Sequence, residues 1–402
     1  MVCRNSGMIL LAVILTVSGA STLSFGLEGQ EDGEYAEAEF METESTQVTP
    51  EQLMFMDPDF RVGETGSFGK RLEKARVKPN VHGYTDTWYR TNDFNRRANL
   101  ESFNLHYFNV MVGAEIGDQL LTEILLEYEH GGEEVGVRYG ILDYSPLKSL
   151  TLRAGKFLMP IGRFNEYLYP EYINKLADRP MCLWHIVPTV WAEVGVQARG
   201  FFNVTDGVEA NYAVFAVNGL QQADGGEGGD IRKMRNNFRD SRNGKKSGGG
   251  RVGLAIGKSF GTSFSYYRGA YSVDGEQELI ISDVEMELKR NGLLARGEYV
   301  NALEAVTGKD LRKEGFYAET SYRMSALLEP VVRYDQADVM GVAGYDGTPN
   351  TETTRRTTLG LVLYPLPYVH DLFIFKMNYS FIHDDGSGKK ANELVLQTAI
   401  GF

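Results

Sequence analysis

The clearest pattern in the chain is an alternation of apolar and polar positions, sharpest in its last thirty-five residues, 368–402. Phe373, Phe375, Met377, Tyr379 and Phe381 occupy one set of alternate positions, and Ile374, Lys376, Asn378 and Ser380 the other. A period of two with unlike faces predicts a β-strand. The pattern repeats after the polar turn 384–390: Leu394, Leu396, Thr398, Ile400 and the terminal Phe402 face one way, with Glu393, Val395, Gln397, Ala399 and Gly401 facing the other.

The same reading carried back along the chain predicts sixteen strands, near 77–90, 102–116, 119–130, 134–145, 149–158, 190–202, 207–219 and 249–260, then 262–273, 277–289, 292–303, 314–324, 326–338, 353–364, 369–383 and 391–402. Each is long enough to cross a tilted bilayer path, for which about 9–11 residues suffice. Connections after even-numbered strands are mostly tight, such as Gly117-Asp118 and Asn291-Gly292. After odd-numbered strands they are longer, near 91–101, 159–189, 220–248, 304–313, 339–352 and 384–390. Short turns at one rim and long loops at the other predict a closed, antiparallel, all-β, 16-stranded transmembrane barrel with short periplasmic turns and long extracellular loops. A secreted β-sandwich is the competing fold, and it has no reason to keep that parity through sixteen strands.

The polar faces point to a lumen. The third strand sets Ile124, Leu126 and Tyr128 against Glu123, Glu127 and Glu129; the fourth sets Val135, Val137, Tyr139 and Ile141 against Glu134 and Arg138. The sixth sets Ala192, Val194, Val196 and Ala198 against Glu193, Gln197 and Arg199, and the thirteenth Leu328, Val332 and Tyr334 against Glu329, Arg333 and Asp335. The expected lumen wall thus carries Glu123, Glu127, Glu193, Asp283, Glu285, Glu287, Glu298, Glu319 and Glu329 against Arg138, Arg153, Arg199, Arg296, Arg323, Arg333 and Lys376. Both signs are present, so mild rather than strict ion selectivity is expected.

Composition changes the picture mainly at the start of the chain. Of 402 residues with a formal net charge of −13, residues 28–59 hold eleven acids and no Lys or Arg. With Arg4 these account for most of the net charge, leaving the body near balance. Such a segment reads as solvated and poorly ordered. Arg4, the apolar run Met8 to Val17 and the small residues Ser18-Gly19-Ala20 predict an export signal over 1–20, followed by an acidic periplasmic segment over 21–75 and the barrel over 76–402. No run of eighteen apolar residues follows the N-terminus, which excludes helical spans there. Two cysteines, Cys3 and Cys182, leave one after cleavage and allow no internal disulfide.

Candidate chemistry is thin. Histidines 82, 106, 130, 185, 370 and 383 show no metal-binding spacing. His383 with Asp384 is the one adjacent pair worth naming, without a Gly-x-Ser-x-Gly elbow to complete it. No catalytic, metal or cofactor site is therefore expected. The basic cluster Arg232, Lys233, Arg235, Arg239, Arg242, Lys245, Lys246 and Arg251 lacks interleaved aromatics, which disfavours nucleic acid. It reads as a loop at a pore mouth that attracts anions, bridges anionic lipid, or is merely solvated.

Four stretches carry a family resemblance: Phe103-Asn104-Leu105-His106-Tyr107-Phe108, Leu125-Leu126-Glu127-Tyr128-Glu129-His130, residues 152–162 with Gly155-Lys156-Phe157-Leu158-Met159-Pro160, and Arg179-Pro180 through Pro188-Thr189-Val190-Trp191. They resemble the outer-membrane porins related to phosphate-selective porins O and P, and the terminal Phe resembles the closing strand of outer-membrane barrels. The resemblance implies a homotrimeric outer-membrane diffusion channel passing small ionic or polar solutes. The dense Arg and Lys ladder of phosphate-selective members is missing here. A non-conducting structural or adhesive barrel is the alternative function.

The connection Met159 to Thr189 is long and rich in Phe164, Tyr167, Leu168, Tyr169, Tyr172, Ile173, Leu176, Met181, Leu183 and Trp184. Such residues are poorly placed in water, so this third outer loop is expected to fold into the barrel, with a short helix from Pro170 to about Leu176. Arg163, Glu166, Lys175, Asp178 and Arg179 are then the candidates to border a constriction.

Overall fold

The computed structural model describes residues 76–92, 101–222, 230–235, 243–338, 342–343, 349–350, 353–366, 372–385, 388 and 390–402. The expected signal and acidic segment lie outside these residues.

Sixteen strands pair as antiparallel neighbours into a closed barrel. They are β1 (Val77–Asn92), β2 (Ser102–Ile116), β3 (Leu120–Glu129), β4 (Glu134–Leu147), β5 (Leu150–Leu158), β6 (Ala192–Thr205), β7 (Val208–Val217) and β8 (Ser247–Ile256), then β9 (Phe260–Ala270), β10 (Glu278–Arg290), β11 (Leu293–Val306), β12 (Lys309–Tyr322), β13 (Leu328–Asp338), β14 (Thr353–Leu363), β15 (Phe373–Asp384) and β16 (Lys390–Gly401). A two-residue pair, Val342–Ala343 with Pro349–Asn350, stands apart from the barrel.

Closure is made by β1 against β16, in register from Tyr84 opposite Gly401 to Asn92 opposite Glu393. The last residue completes it. The Phe402 amide donates to the Gly83 carbonyl at 2.9 Å, the Gly83 amide donates back at 2.6 Å, and the Phe402 ring stacks on Phe108. A closed sheet leaves no free edge, so the backbone groups that neighbouring strands pair need no water.

Burial is inverted relative to a water-soluble protein. Phe103 is 81% exposed and Val135 63%, whereas Lys313, Arg333 and Lys376 are 0% exposed. Along β15 the outward Met377, Tyr379 and Phe381 alternate with buried Lys376, Asn378 and Ser380. Apolar side chains outside and charges inside are stable only with hydrocarbon around the barrel, because an apolar belt of this extent exposed to water forfeits the hydrophobic driving force.

Three sequence expectations need correction. Residues 304–313 form no loop: β11 and β12 pair from Val306 opposite Lys309 onward, joined by the tight turn Thr307-Gly308. In the fourth strand, Tyr139 and Ile141 face inward rather than outward. The register shifts between Leu125 and Leu126, which pair with Tyr139 and Val137, so Arg138 is an inserted bulge residue. One extra residue reverses the phase of everything beyond it. The segment 170–176 forms only a hydrogen-bonded turn at Pro170, with the Ile173 and Asn174 amides donating to its carbonyl. A π-helical turn, Phe164–Leu168, and an α-helical turn, Cys182–His185, appear instead. Successive side chains from Glu171 to Leu176 reach different strands, and those anchors override helix propensity.

Candidate functional site at the crossing segment

The segment between β5 and β6 lies in the lumen and meets its wall nearly all the way round. Its root is closed by Asn165, which donates to the carbonyls of Met159 at 2.8 Å and Trp191 at 3.0 Å and accepts from the Trp191 amide at 2.7 Å. From there Phe164 donates its amide to Glu298 of β11 at 3.1 Å, and Glu166 accepts from Arg199 of β6 at 2.7 Å and Arg251 of β8 at 3.2 Å.

The far half anchors to the opposite strands. Lys376 of β15 donates to the Glu171 carbonyl at 2.6 Å, Arg296 of β11 to Asn174 at 3.4 Å, and Lys175 to Glu329 of β13 at 3.1 Å. Asp178 pairs with Arg90 of β1 at 2.6 Å, Arg179 donates to the Tyr107 hydroxyl of β2 at 2.8 Å, and Asp335 of β13 accepts from the Met181 amide at 2.8 Å. Two wall glycines make room. A Cβ on Gly360 would lie 2.3 Å from Leu176 Cδ2, and one on Gly315 2.8 Å from the Cys182 Cβ.

Of the five residues expected to border a constriction, the structure brings all five into this segment but not into one cluster. Glu166, Lys175, Asp178 and Arg179 each hold a partner on a different strand, and Arg163 lies over the Tyr167 ring at 5.7 Å. Burial alone would raise the Asp178 carboxyl, but Arg90 and Arg356 outweigh it and hold the carboxyl below the ordinary range. The same balance, through Arg199 and Arg251, lowers Glu166.

Many of the expected lumen residues line the inner wall as paired groups, the β10 acid Asp283 being an exception. Arg138 binds Glu127 at 2.9 Å, Arg153 binds Asp143 at 2.7 Å, and Arg296 binds Glu319 at 2.6 Å. Arg333 binds Asp335 at 3.1 Å and Arg323 binds Glu329 at 3.1 Å. Glu123 accepts from the Tyr139 hydroxyl, and Glu193 from Trp191 Nε1 at 2.8 Å. His383 pairs with Asp385 at 3.1 Å rather than with Asp384, and sits half exposed at the rim.

Sequence reading missed a second cluster. Residues 230–235 are not a merely solvated loop: Ile231 and Met234 are buried in the apolar core beside Trp191, and the Asp230 carboxylate caps their 3-10 turn by accepting from the Arg232 amide. That turn aims Arg232 and Arg235 at the crossing segment. Arg235 donates to the carbonyls of Pro188 at 3.2 Å and Val190 at 2.9 Å, and Arg179 to that of Thr189 at 3.3 Å. Arg232 also donates to the Thr189 carbonyl, and its guanidinium lies 3.5 Å over the Trp184 ring. Burial first, then the neighbouring guanidiniums, disfavours the charged form of both Arg232 and Arg235. Among the described residues neither forms a salt bridge. Arg239 and Arg242 lie outside the described residues, and Arg251 belongs to the wall.

No protein-family model matches the chain. An uncharacterized protein of Aquifex aeolicus is 28% identical over 181 residues, a match spanning 43% of this chain and 40% of that protein. Among solved structures, the anion-selective porin from Comamonas acidovorans is similar at a TM-score of 0.57 and 11% identity, covering 81% of this chain and all of that one. OmpT, an outer membrane protein of Vibrio cholerae, follows at 0.54 and 12%, covering 81% and 98%. The outer membrane channel DcaP of Acinetobacter baumannii gives 0.53 and 11%, covering 81% and 97%. At these identities the likeness concerns the barrel fold.

Proposed function

We propose that this chain forms a passive diffusion channel in a bacterial outer membrane, narrowed by residues 159–191 and favouring small anions at its outer mouth. The carrying observation is the arginine cluster at Thr189: three guanidiniums converge on backbone carbonyls, and Arg232 and Arg235 are without a carboxylate salt bridge among the described residues. Uncompensated positive charge in a partly dehydrated passage lowers the barrier to an anion and raises it for a cation. Phosphate fits this chemistry, since guanidinium groups bind phosphate oxygens in pairs. That is the basis on which the resemblance to the phosphate-selective porin O and P family is kept as a proposal.

In the same reading residues 1–20 direct export and are removed, residues 21–75 extend into the periplasm, and the barrel assembles as a homotrimer in outer-membrane lipid. It carries out no covalent chemistry. A plugged structural barrel is the second reading, favoured by the complete burial of Lys313, Arg333 and Lys376 in the lumen. Planar-bilayer recording with purified protein separates the two: discrete conducting steps support the channel, and their absence in a folded barrel supports the plug.

A further inference from the structure

The β10–β11 hairpin stacks acids on its inner face. Asp283, Glu285 and Glu287 follow one another on β10, and Glu298 of β11 stands directly opposite Glu285 in the register. Like charges placed opposite each other destabilise a sheet, and burial compounds the cost. All four are buried, Asp283 and Glu287 completely.

Their hydrogen bonds account for only part of the oxygens. Glu285 Oε1 accepts from Arg251, which also serves Glu166 at 3.2 Å. Glu298 Oε1 accepts from the Phe164 amide and the Tyr317 hydroxyl, both at 3.1 Å. Glu285 Oε2, Glu298 Oε2 and both oxygens of Asp283 accept from no N–H or hydroxyl donor, and the Asp283 and Glu298 carboxyls meet each other instead. One ligand atom from each of the three residues lies within 4.8 Å of the others. Above them Gly162, at φ +66°, brings bare backbone: a Cβ there would fall 2.5 Å from Glu298 Oε2 and 3.1 Å from Asp283 Oδ2. Glycine therefore lets these carboxylates press directly against the backbone, where any side chain would collide with them.

We propose that Asp283, Glu285 and Glu298 bind a divalent cation, with Ca2+ the fitting ion. An all-oxygen carboxylate set suits hard cations rather than zinc or copper, and Ca2+ accepts irregular geometry with water completing its shell. The ion neutralises charge that one shared arginine cannot. It also sits where the crossing segment first meets the wall, since Gly162 and Phe164 rest on Glu298, so binding ties the segment to β10 and β11. The corresponding class of ligand is a free divalent cation of the extracellular medium, reaching the site from the lumen.

The test is calorimetric titration of CaCl2 into chelator-stripped, refolded protein free of lipopolysaccharide, with thermal unfolding followed in parallel. The expected result is one Ca2+ per chain and a raised unfolding temperature. Asp283→Asn abolishes both; Asp118→Asn, on an exposed turn, leaves both unchanged. Calcium binding that survives Asp283→Asn, or that is lost in Asp118→Asn, overturns the site. So does wild-type protein that binds no Ca2+ while Asp283→Asn raises its stability, the signature of a cluster neutralised by protons. Binding is read without conductance, so its failure is separable from failure of the channel reading.

Discussion

Two kinds of charged patch share this lumen, and they obey different accounts. On β11 to β14 the charges are matched: Lys313 with Glu304 at 2.7 Å, Arg296 with Glu319 at 2.6 Å, and Arg356 with Asp335 at 2.8 Å. At the Thr189 cluster and on the β10–β11 hairpin they are not, the first having an excess of guanidinium and the second an excess of carboxylate. A buried pair offsets its own desolvation and holds the wall in one arrangement. An unmatched patch costs stability in isolation, and what relieves it comes from outside the chain. Matched patches are read as architecture and unmatched ones as places where ions act.

The largest effect is expected from removing the element that touches both kinds. Replacing residues 164–178 by a short Gly-Ser linker deletes the anchors on Glu329, Arg90 and Lys376. Single-channel conductance should rise several-fold in a barrel that still runs as a heat-resistant species; an unchanged conductance would place the narrowing elsewhere. Breaking a matched pair comes next. Lys313→Met removes the ammonium that Glu304 holds at 2.7 Å and should cost about 3–5 kcal/mol in denaturant unfolding, while Lys313→Met with Glu304→Leu recovers most of the loss. Neither change should alter ion selectivity.

The unmatched arginines should behave oppositely. Arg232→Ala with Arg235→Ala should cost less in unfolding than Lys313→Met, because the interactions lost run to backbone carbonyls and the Trp184 ring and leave no carboxylate stranded among the described residues. The ratio of anion to cation permeability should fall several-fold, as read from the reversal potential. The smallest effect concerns pH. Burial, reinforced by Arg232 and Arg356 and opposed by Asp230, lowers His185 to about 4. The unfolded chain, near 6.5, therefore takes up the proton first, so this contribution to stability is intact above about pH 6.5 and is lost as pH falls toward 4. His185→Gln should flatten stability across that window, and an unchanged slope would assign the acid sensitivity to other groups.

Much of the barrel was legible because a two-residue period survives without tertiary information. Strand number, closure on a terminal Phe and the inward face of β15 all follow from it. The phase slip in β4 was not, since Arg138 and Tyr139 both point inward at a bulge that leaves no mark on the apolar pattern. The Thr307-Gly308 turn was read as a loop because polar residues occupy both faces nearby: Lys313 bonds Glu304 inside while Arg312 pairs with Glu314 at the exposed rim. The aromatic content of 159–189 signalled a segment needing cover. Its anchors on distant strands were not visible, and neither was the approach of Arg232 and Arg235 to carbonyls more than forty residues earlier.

The most direct test of the central claim, that unmatched guanidiniums in a narrowed lumen give an anion-favouring channel, is the reversal potential of the purified protein in a planar bilayer under a KCl gradient. The account predicts discrete conducting steps with a reversal potential displaced toward the chloride equilibrium value, short of ideal selectivity. A folded barrel that passes no current, or one whose reversal potential lies toward potassium, would contradict it.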